Sequence, residues 1–131
     1  MRTALVVEDD VAIQNLFSEL LREQGMERVL GAATAQQALD LAGRHALDLV
    51  VLDYRLRESS GIEVAEQLRA LPGFRAPVLV TTALPRPQAE EVCAEADACE
   101  CVAKPFDITE FLRAVQACLD HGQAATSRTA W

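Results

Sequence analysis

Residues 47–53 read LDLVVLD, with four consecutive apolar residues between Asp48 and Asp53. An apolar run without alternation indicates a strand that is covered on both faces, which is typical of a parallel sheet with helices on either side. The run ends in Asp53, so a carboxylate stands at the carboxyl end of a buried strand. The stretch therefore predicts an α/β fold and marks the edge of the sheet at which functional side chains are expected.

Strand and helix patterns alternate along the rest of the chain. The predicted strands are residues 3–7, 28–32, 47–53, 76–82 and 99–103. Between and after them, apolar residues recur near helical spacing, and capping boxes begin at Thr34, Ser60 and Asp107. Five strands that alternate with five helices predict a doubly wound, five-stranded parallel sheet with right-handed crossovers.

Composition limits the class of protein. The chain has 131 residues and is 50% hydrophobic, which fits one domain with a substantial core. Its formal net charge of −8 argues against a general nucleic-acid binder. No apolar run approaches the length of a membrane span and no signal peptide is recognised, so a cytoplasmic location is expected. We expect the domain to cover residues 1–121 and residues 122–131 to form a polar C-terminal tail. The small and polar stretch after Leu119, which ends in Trp131, is expected to fray.

The cysteines form neither a CxxC pair nor a metal-spaced set with either histidine. They are Cys93, Cys99, Cys101 and Cys118. A zinc site is therefore not predicted, and four free thiols are expected. Cys99 and Cys101 lie two residues apart, so they are expected to project from the same side of a strand. Filling of gaps beside the fourth helix is the favoured interpretation, and a redox sensor is the alternative.

Acidic, hydroxyl and amine side chains follow the predicted strands where each strand ends. Glu8 and Asp9 follow the first, Asp53 ends the third, Thr82 ends the fourth, and Lys104, the only lysine, ends the fifth. Ligands of open α/β sheets bind at the carboxyl ends of the strands. In a sheet of order 2-1-3-4-5, strands one, three, four and five are neighbours, so these side chains are expected to converge on one pocket.

The types of side chain in this pocket indicate phosphoryl chemistry. Three crowded carboxylates repel one another, and a hard divalent cation removes that conflict. Mg²⁺ prefers carboxylate, carbonyl and water oxygens, and it usually binds a phosphoryl oxygen as well. The metal and a lysine would neutralise phosphoryl charge while a hydroxyl donates a hydrogen bond. A lysine is a compact point charge, whereas arginine presents a wide planar fork, so Lys104 suits a narrow pocket.

The chain resembles the receiver domain of bacterial two-component response regulators. The motifs that carry the resemblance are VVEDD (6–10), LVVLDYRL (49–56) with Gly61 following, PVLVTTA (77–83) and VAKPF (102–106). Their order and spacing match over essentially residues 3–120. The resemblance implies a flavodoxin-like, CheY-like fold of order 2-1-3-4-5. It also implies a phosphoacceptor domain of a phosphorelay, which catalyses only its own phosphorylation and dephosphorylation.

The resemblance implies a role for each residue of the pocket. Asp53 would accept the phosphoryl group and also bind Mg²⁺. Asp9 would bind the metal directly, with Glu8 assisting through water, and the main-chain carbonyl of Arg55 would be a further ligand. Lys104 would pair with Asp53 and later with the phosphoryl group.

Three further positions take their interpretation from the same resemblance. Thr82 matches the hydroxyl position of the family, whereas Thr81 would point away. The Lys104–Pro105 peptide bond would be cis. Cys101 stands three positions before the lysine, where family members usually carry an aromatic switch residue. Because a thiol does not fill the volume of a ring, we expect the fourth helix and fifth strand to respond less, or through other residues.

The resemblance also implies partners. The phosphoryl donor would be a phosphohistidine on a sensor histidine kinase or a His-phosphotransfer protein, and the downstream target is not indicated. A dimer is expected to form on phosphorylation. Direct binding to nucleic acid or to a membrane is not expected. Two alternatives stay open at this point: a pseudo-receiver that acts without phosphorylation, and a receiver fragment of a hybrid histidine kinase.

Two enzyme or cofactor classes on similar architectures fit the sequence less well. A phosphatase of the haloacid dehalogenase type would carry a second acid two positions after its nucleophile, where this chain has Arg55. A flavin-binding protein would carry a Ser/Thr/Gly-rich loop after the first strand, where this chain has EDDVAIQN (8–15). Both comparisons favour the phosphoacceptor interpretation.

Overall fold

The structure, a computed structural model, describes residues 1–129, with side chains described for residues 1–120. The strands are β1 Thr3–Val7, β2 Arg28–Ala32, β3 Leu49–Asp53, β4 Val78–Thr82 and β5 Glu100–Ala103. The helices are α1 Val11–Glu23, α2 Ala35–Arg44, α3 Gly61–Arg69, α4 Arg86–Glu95 and α5 Ile108–Thr129. The alternation that the sequence predicts is confirmed, although β3, β4 and β5 are shorter than the predicted runs.

The five strands form one parallel sheet in the order β2-β1-β3-β4-β5. The register places Asp53 opposite Thr81 and Thr82 opposite Ala103. The predicted doubly wound fold and strand order are therefore confirmed. Because strands β1, β3, β4 and β5 are neighbours, their carboxyl ends form one continuous edge.

Alternate side chains of each central strand enter two separate hydrophobic cores. Ala4 and Val6 of β1 pack with α1 and α5, whereas Leu5 and Val7 pack on the face that α2, α3 and α4 cover. Every residue of β1, β3 and β4 is buried. This two-sided burial explains why LVVL has no polar alternation. A cluster of three phenylalanine rings with centroids 4.7–5.7 Å apart fills the first core: Phe17, Phe106 and Phe111.

The predicted helix starts are confirmed by their capping contacts. The Thr34 hydroxyl accepts a hydrogen bond from Gln37 N at 3.2 Å, and the Ser60 hydroxyl accepts one from Glu63 N at 3.3 Å. Asp107 Oδ1 accepts from the main chain of the first turn of α5, at 2.7 and 3.3 Å. These caps satisfy main-chain donors that have no partner inside the helix, so they fix where each helix begins.

The end of the chain differs from the sequence expectation. Helix α5 continues to Thr129 instead of fraying after Leu119. Extension of a helix that is already packed adds one hydrogen bond for each residue ordered, so polar composition alone does not end it. The division at residue 121 stays a prediction, and Trp131 lies outside the described residues. Among the described residues, none of the helices is long and apolar enough to cross a membrane.

The expectation of four free thiols is wrong. Cys93 of α4 and Cys101 of β5 form a disulfide, with Cα atoms 6.1 Å apart, while Cys99 and Cys118 are free. Cys99 and Cys101 also pack on opposite faces of the sheet, although their spacing predicts the same side of a strand. Cys99 packs in the α1–α5 core and Cys101 packs beside α4. Cys99 precedes the first residue of β5, so strand alternation does not apply to it.

Candidate functional site

Three carboxylates meet at the carboxyl edge of the sheet. Glu8 and Asp9 follow β1 directly and Asp53 is the last residue of β3, and each offers an oxygen within 4.8 Å of the others. Glu8 is 1% exposed and Asp53 is 7% exposed, whereas Asp9 is half-buried. The structure thus brings together the acids that the sequence predicts to converge.

The short connection between β1 and α1 holds the two acids that follow β1. Asp10 caps α1, because its Oδ1 accepts from Ile13 N at 3.1 Å. Glu8 N donates to Ala32 O at 2.9 Å, and the Gln14 amide donates to Glu8 O at 3.0 Å. The helix therefore begins three residues after Glu8, and these contacts fix the main chain from which both carboxylates project.

Lys104 bridges two of the acids from the other side of the pocket. Its Nζ lies 2.7 Å from Glu8 Oε1 and 3.3 Å from Asp53 Oδ1. The expected pairing with Asp53 is present, but the shorter contact, to Glu8, was not expected. The Lys104–Pro105 peptide bond is cis, as the resemblance implies. The ammonium thus stabilises two buried carboxylates that would otherwise face each other unpaired.

Thr82 lies beside these charged groups. It is 1% exposed, and its hydroxyl oxygen accepts a hydrogen bond from Leu84 N at 3.0 Å. A pocket opens here, and its lining includes Asp53, Arg55, Thr82, Leu84 and Lys104. Thr82 therefore faces the same space as the predicted phosphoacceptor and lysine. The role of the Arg55 carbonyl as a metal ligand stays a prediction.

A close approach of two chain segments positions the backbone of Asp53. Gly61 N donates to Tyr54 O at 2.6 Å, and a Cβ atom on Gly61 would lie 2.9 Å from both Asp53 O and Tyr54 Cα. On the other side, Tyr54 N donates to Thr81 O at 2.9 Å. Only glycine fits at this contact, so the sequence pattern of Asp53 followed by Gly61 reflects a steric requirement.

Burial and charge shift the pKa values of the buried pair. Burial raises the pKa of Glu8 from 4.5 to about 7; its hydrogen bond with Lys104 works in the opposite direction, and nearby Asp53 adds to the rise. Burial works to lower the pKa of Lys104, but the contacts with Glu8 and Asp53 outweigh it, and the pKa is raised. One ammonium thus does not fully compensate the acids of the pocket.

The pH dependence of stability should show this incomplete compensation. Since Glu8 binds its proton more tightly in the folded state, its contribution to the unfolding free energy of the metal-free protein should fall as pH rises from 4.5 to about 7. A shift of that size corresponds to about 3 kcal/mol. Urea unfolding of the wild type and Glu8→Gln across this range measures the difference between the two curves. Parallel curves would contradict the prediction.

Two neighbouring threonines should respond differently to replacement by valine. Thr81 is fully buried and its hydroxyl has no hydrogen-bond partner in the described part of the chain, so Thr81→Val should stabilise the fold by about 1 kcal/mol. Thr82→Val removes the acceptor for Leu84 N and the hydroxyl of the pocket, so the phosphoryl transfer that the resemblance implies should fall about tenfold. Thermal unfolding and a transfer assay on both variants provide the comparison. Equal effects of the two changes on transfer would contradict it.

The acidic cluster suits a hard cation. Its ligands would be carboxylate oxygens, which Mg²⁺ prefers, and the three acids outnumber the single ammonium beside them. Burial, with a smaller contribution from Asp53, raises the pKa of Glu8, so a bound cation would stabilise its ionised form. The donor chemistry of the site is therefore compatible with a divalent metal ion.

Comparisons with known proteins agree with the fold and identify the family. Residues 4–116 match the family of response regulator receiver domains. The transcriptional regulatory protein PdtaR of Mycobacterium tuberculosis is 31% identical over 126 residues, which cover 96% of this chain and 60% of that protein. The chain thus spans about 60% of the length of this relative.

Two further proteins are similar to this chain over nearly the full length of both sequences. The polar-differentiation response regulator DivK of Brucella ovis is 29% identical over 119 residues, which are 90% of this chain and 96% of DivK. The receiver domain of a sensor histidine kinase from Pseudomonas aeruginosa is 30% identical, with a TM-score of 0.78 over 91% of this chain and 98% of that one. That structure has a magnesium ion coordinated in its active-site cleft.

Proposed function

The chain belongs to the receiver domain family of response regulators, and from this premise we propose that it is a signalling switch phosphorylated on Asp53. The observation that carries the proposal is the position of the Lys104 ammonium, 3.3 Å from Asp53 Oδ1 at the rim of an open pocket. A carboxylate beside a cation at a pocket can act as a nucleophile toward a phosphoryl group.

The proposed reaction exchanges one phosphorus bond for another. A carboxylate oxygen of Asp53 forms a bond to phosphorus as the phosphorus–nitrogen bond of a donor phosphohistidine breaks, and the departing imidazole takes a proton from solvent. A sensor histidine kinase or a His-phosphotransfer protein would supply the donor. The carboxylate needs no deprotonating base, so positioning and neutralisation of charge would account for most of the rate.

The side chains around Asp53 would take separate parts in this transfer. Lys104 is already paired with Asp53, and its ammonium would pair with the phosphoryl group after transfer. The hydroxyl oxygen of Thr82 accepts from Leu84 N, which leaves its proton to be donated to a phosphoryl oxygen. Such a donor would stabilise the negative charge that the phosphoryl group adds, and this would make Thr82 a sensor of the phosphorylated state.

Glu8, Asp9 and Asp53, with the main-chain carbonyl of Arg55, would hold Mg²⁺. When bound, the ion would neutralise charge on the phosphoryl oxygens. Asp9 is the half-buried member of the acidic cluster and is therefore the acid that an ion can reach from solvent. Glu8 is occupied by Lys104 at 2.7 Å, which supports an indirect role through water.

The wider setting of the switch is part of the proposal. We expect it to act in the cytoplasm, as a stand-alone receiver or as part of a larger regulator or hybrid kinase, with a downstream target still to be identified. A dimer that forms on phosphorylation fits this class of switch. The pseudo-receiver alternative predicts binding of a partner without any phosphoryl incorporation.

Incubation with acetyl phosphate and Mg²⁺ tests the proposal. We expect one phosphoryl group for each chain by intact mass, dependence on Mg²⁺, and release of the group by hydroxylamine, which cleaves acyl phosphates. Borohydride reduction followed by peptide mapping should place the modification at Asp53. No incorporation, or incorporation on a hydroxyl group stable to hydroxylamine, would contradict the proposal.

A further inference from the structure

Helix α4 is held to the rest of the fold by few contacts. Of its ten residues, Ala89 and Val92 are buried, and its first turn has no side-chain cap. By comparison, α3 buries Gly61, Val64, Ala65 and Leu68 within nine residues. A helix that buries so little apolar surface has a low free energy of local opening. Its position therefore depends strongly on any other link to the sheet.

The disulfide between Cys93 and Cys101 is such a link. Cys93 follows the buried Val92 in the last part of α4, and Cys101 lies in the edge strand β5, opposite Val80. Arg69 also contacts this end, because it donates to Ala96 O and to Asp97 O, the latter at 2.8 Å, and Ala96, the residue after α4, is itself buried. Reduction would thus leave α4 held mainly by Ala89, Val92, the adjoining Ala96 and Arg69.

The same bond joins the two chain segments that leave the pocket. Lys104 follows Cys101 by three residues, and α4 begins four residues after Thr82. The connection from Thr82 to α4 includes Leu84, which lines the pocket and donates to the Thr82 hydroxyl. A change at the Thr82 hydroxyl would therefore reach α4 through three connecting residues, and the disulfide joins that helix to β5.

We propose that Cys93–Cys101 is a reversible redox modification site that fixes α4 against β5. In the forward direction, the two thiols lose two protons and two electrons to a small-molecule disulfide, such as oxidised glutathione. One mixed disulfide forms and is then displaced by the second thiol, so that two molecules of the small thiol are released. A consequence, which rests on the proposed function, is that the oxidised form responds less at α4 to a phosphoryl group on Asp53.

The burial of the four cysteines supports this selectivity. Cys93 and Cys101 are half-buried, so a small thiol can reach the bond. Cys118 is fully buried, and burial strongly raises the pKa of its thiol; the pKa of Cys99 is raised as well, again by burial. Raised pKa values suppress the thiolate that exchange requires. The Cys93–Cys101 bond also closes a short loop of sequence separation 8, and such loops are stabilised least by crosslinking.

Equilibration of the wild-type protein in glutathione buffers, followed by trapping with iodoacetamide, tests the redox step. Cys93 and Cys101 should become alkylated together in one transition as the buffer is made more reducing. Cys99→Ser is the matched control, because it removes a thiol that is not part of the disulfide. The midpoint of the Cys93–Cys101 redox transition in this variant should equal that of the wild type. Alkylation of both residues in every buffer, or a bond that persists in excess reduced glutathione, would overturn the proposal.

Hydrogen exchange tests the effect on α4. In the reduced wild type, amides of residues 86–95 should exchange about tenfold faster or more than in the oxidised form, while those of α3 stay unchanged. Cys93→Ser should reproduce the reduced pattern in any buffer. Equal exchange in the two forms would overturn the structural role of the bond.

Addition of beryllium fluoride and Mg²⁺, which mimic a phosphoryl group, separates this inference from the proposed function. Protection of amides near Asp53 in both forms, with changes in α4 only in the reduced form, supports both. Equal changes in α4 in both forms overturn the coupling alone. Absence of any change near Asp53 in either form counts against the proposed function, while the trapping result stands by itself.

Discussion

Asp53→Asn is expected to reduce phosphoryl incorporation about a thousandfold or more, to the background of the assay. The amide of asparagine has nearly the same shape as the carboxylate but is a very weak nucleophile, so the substitution tests chemistry without enlarging the side chain. Intact mass after incubation with acetyl phosphate and Mg²⁺ measures the result. Asp53 also raises the pKa of Glu8, so the stability of the Asp53→Asn variant should depend less on pH than that of the wild type.

Asp40→Asn provides the matched control for this experiment. Asp40 is an exposed carboxylate on α2 that accepts a hydrogen bond from Gln36, so the same chemical change occurs away from the pocket. Its incorporation should equal that of the wild type. Full incorporation in Asp53→Asn would contradict the assignment of the phosphoacceptor, and mapping would then identify the residue that carries the group.

Lys104→Met should weaken both stability and transfer. The substitution removes a cation 2.7 Å from Glu8, which is 1% exposed, and the pKa of Glu8 should rise further. Because the folded protein then holds a proton that the unfolded chain releases, the loss of stability should be larger at pH 8 than at pH 6, and about 3 kcal/mol at the higher pH. Phosphoryl transfer should fall about a hundredfold.

Lys104→Arg is the informative companion to that variant. Arginine keeps the positive charge but presents a wide planar fork, so it should preserve most of the stability at pH 8 while transfer stays low. Urea unfolding at both pH values and the phosphorylation assay measure the two effects separately. A methionine variant that is equally stable at pH 6 and pH 8 would contradict the assigned role of Lys104 in compensating Glu8.

The fold was predictable because local signals and burial agree. The run LVVL is apolar throughout because its residues enter two cores in alternation, and the caps at Thr34 and Ser60 mark helix starts at which the hydrogen bonds are present. Convergence of the site was predictable as well. Parallel strands place their carboxyl ends at one edge, so the sequence alone predicts that Asp53 and Lys104 lie close together.

Contacts that depend on packing were not predictable in the same way. The shorter contact of Lys104 is with Glu8, and nothing in the spacing of the motifs indicates which acid a flexible four-carbon chain will approach. The bond between Cys93 and Cys101 depends on how α4 turns relative to β5, and a spacing of eight residues between the two cysteines carries no recognised signal. Small polar residues after Leu119 predict a frayed tail, but composition alone does not determine where a helix that is already packed ends.

The contact at Gly61 has a practical consequence for anyone who wishes to build a sensor from this protein. Because Gly61 touches the backbone of Asp53 and Tyr54, a fluorescent domain inserted between residues 54 and 61 would disturb the very group whose state it should report. Gly73 offers a better insertion point, because its turn lies between α3 and β4, at the amino ends of the strands and away from the pocket.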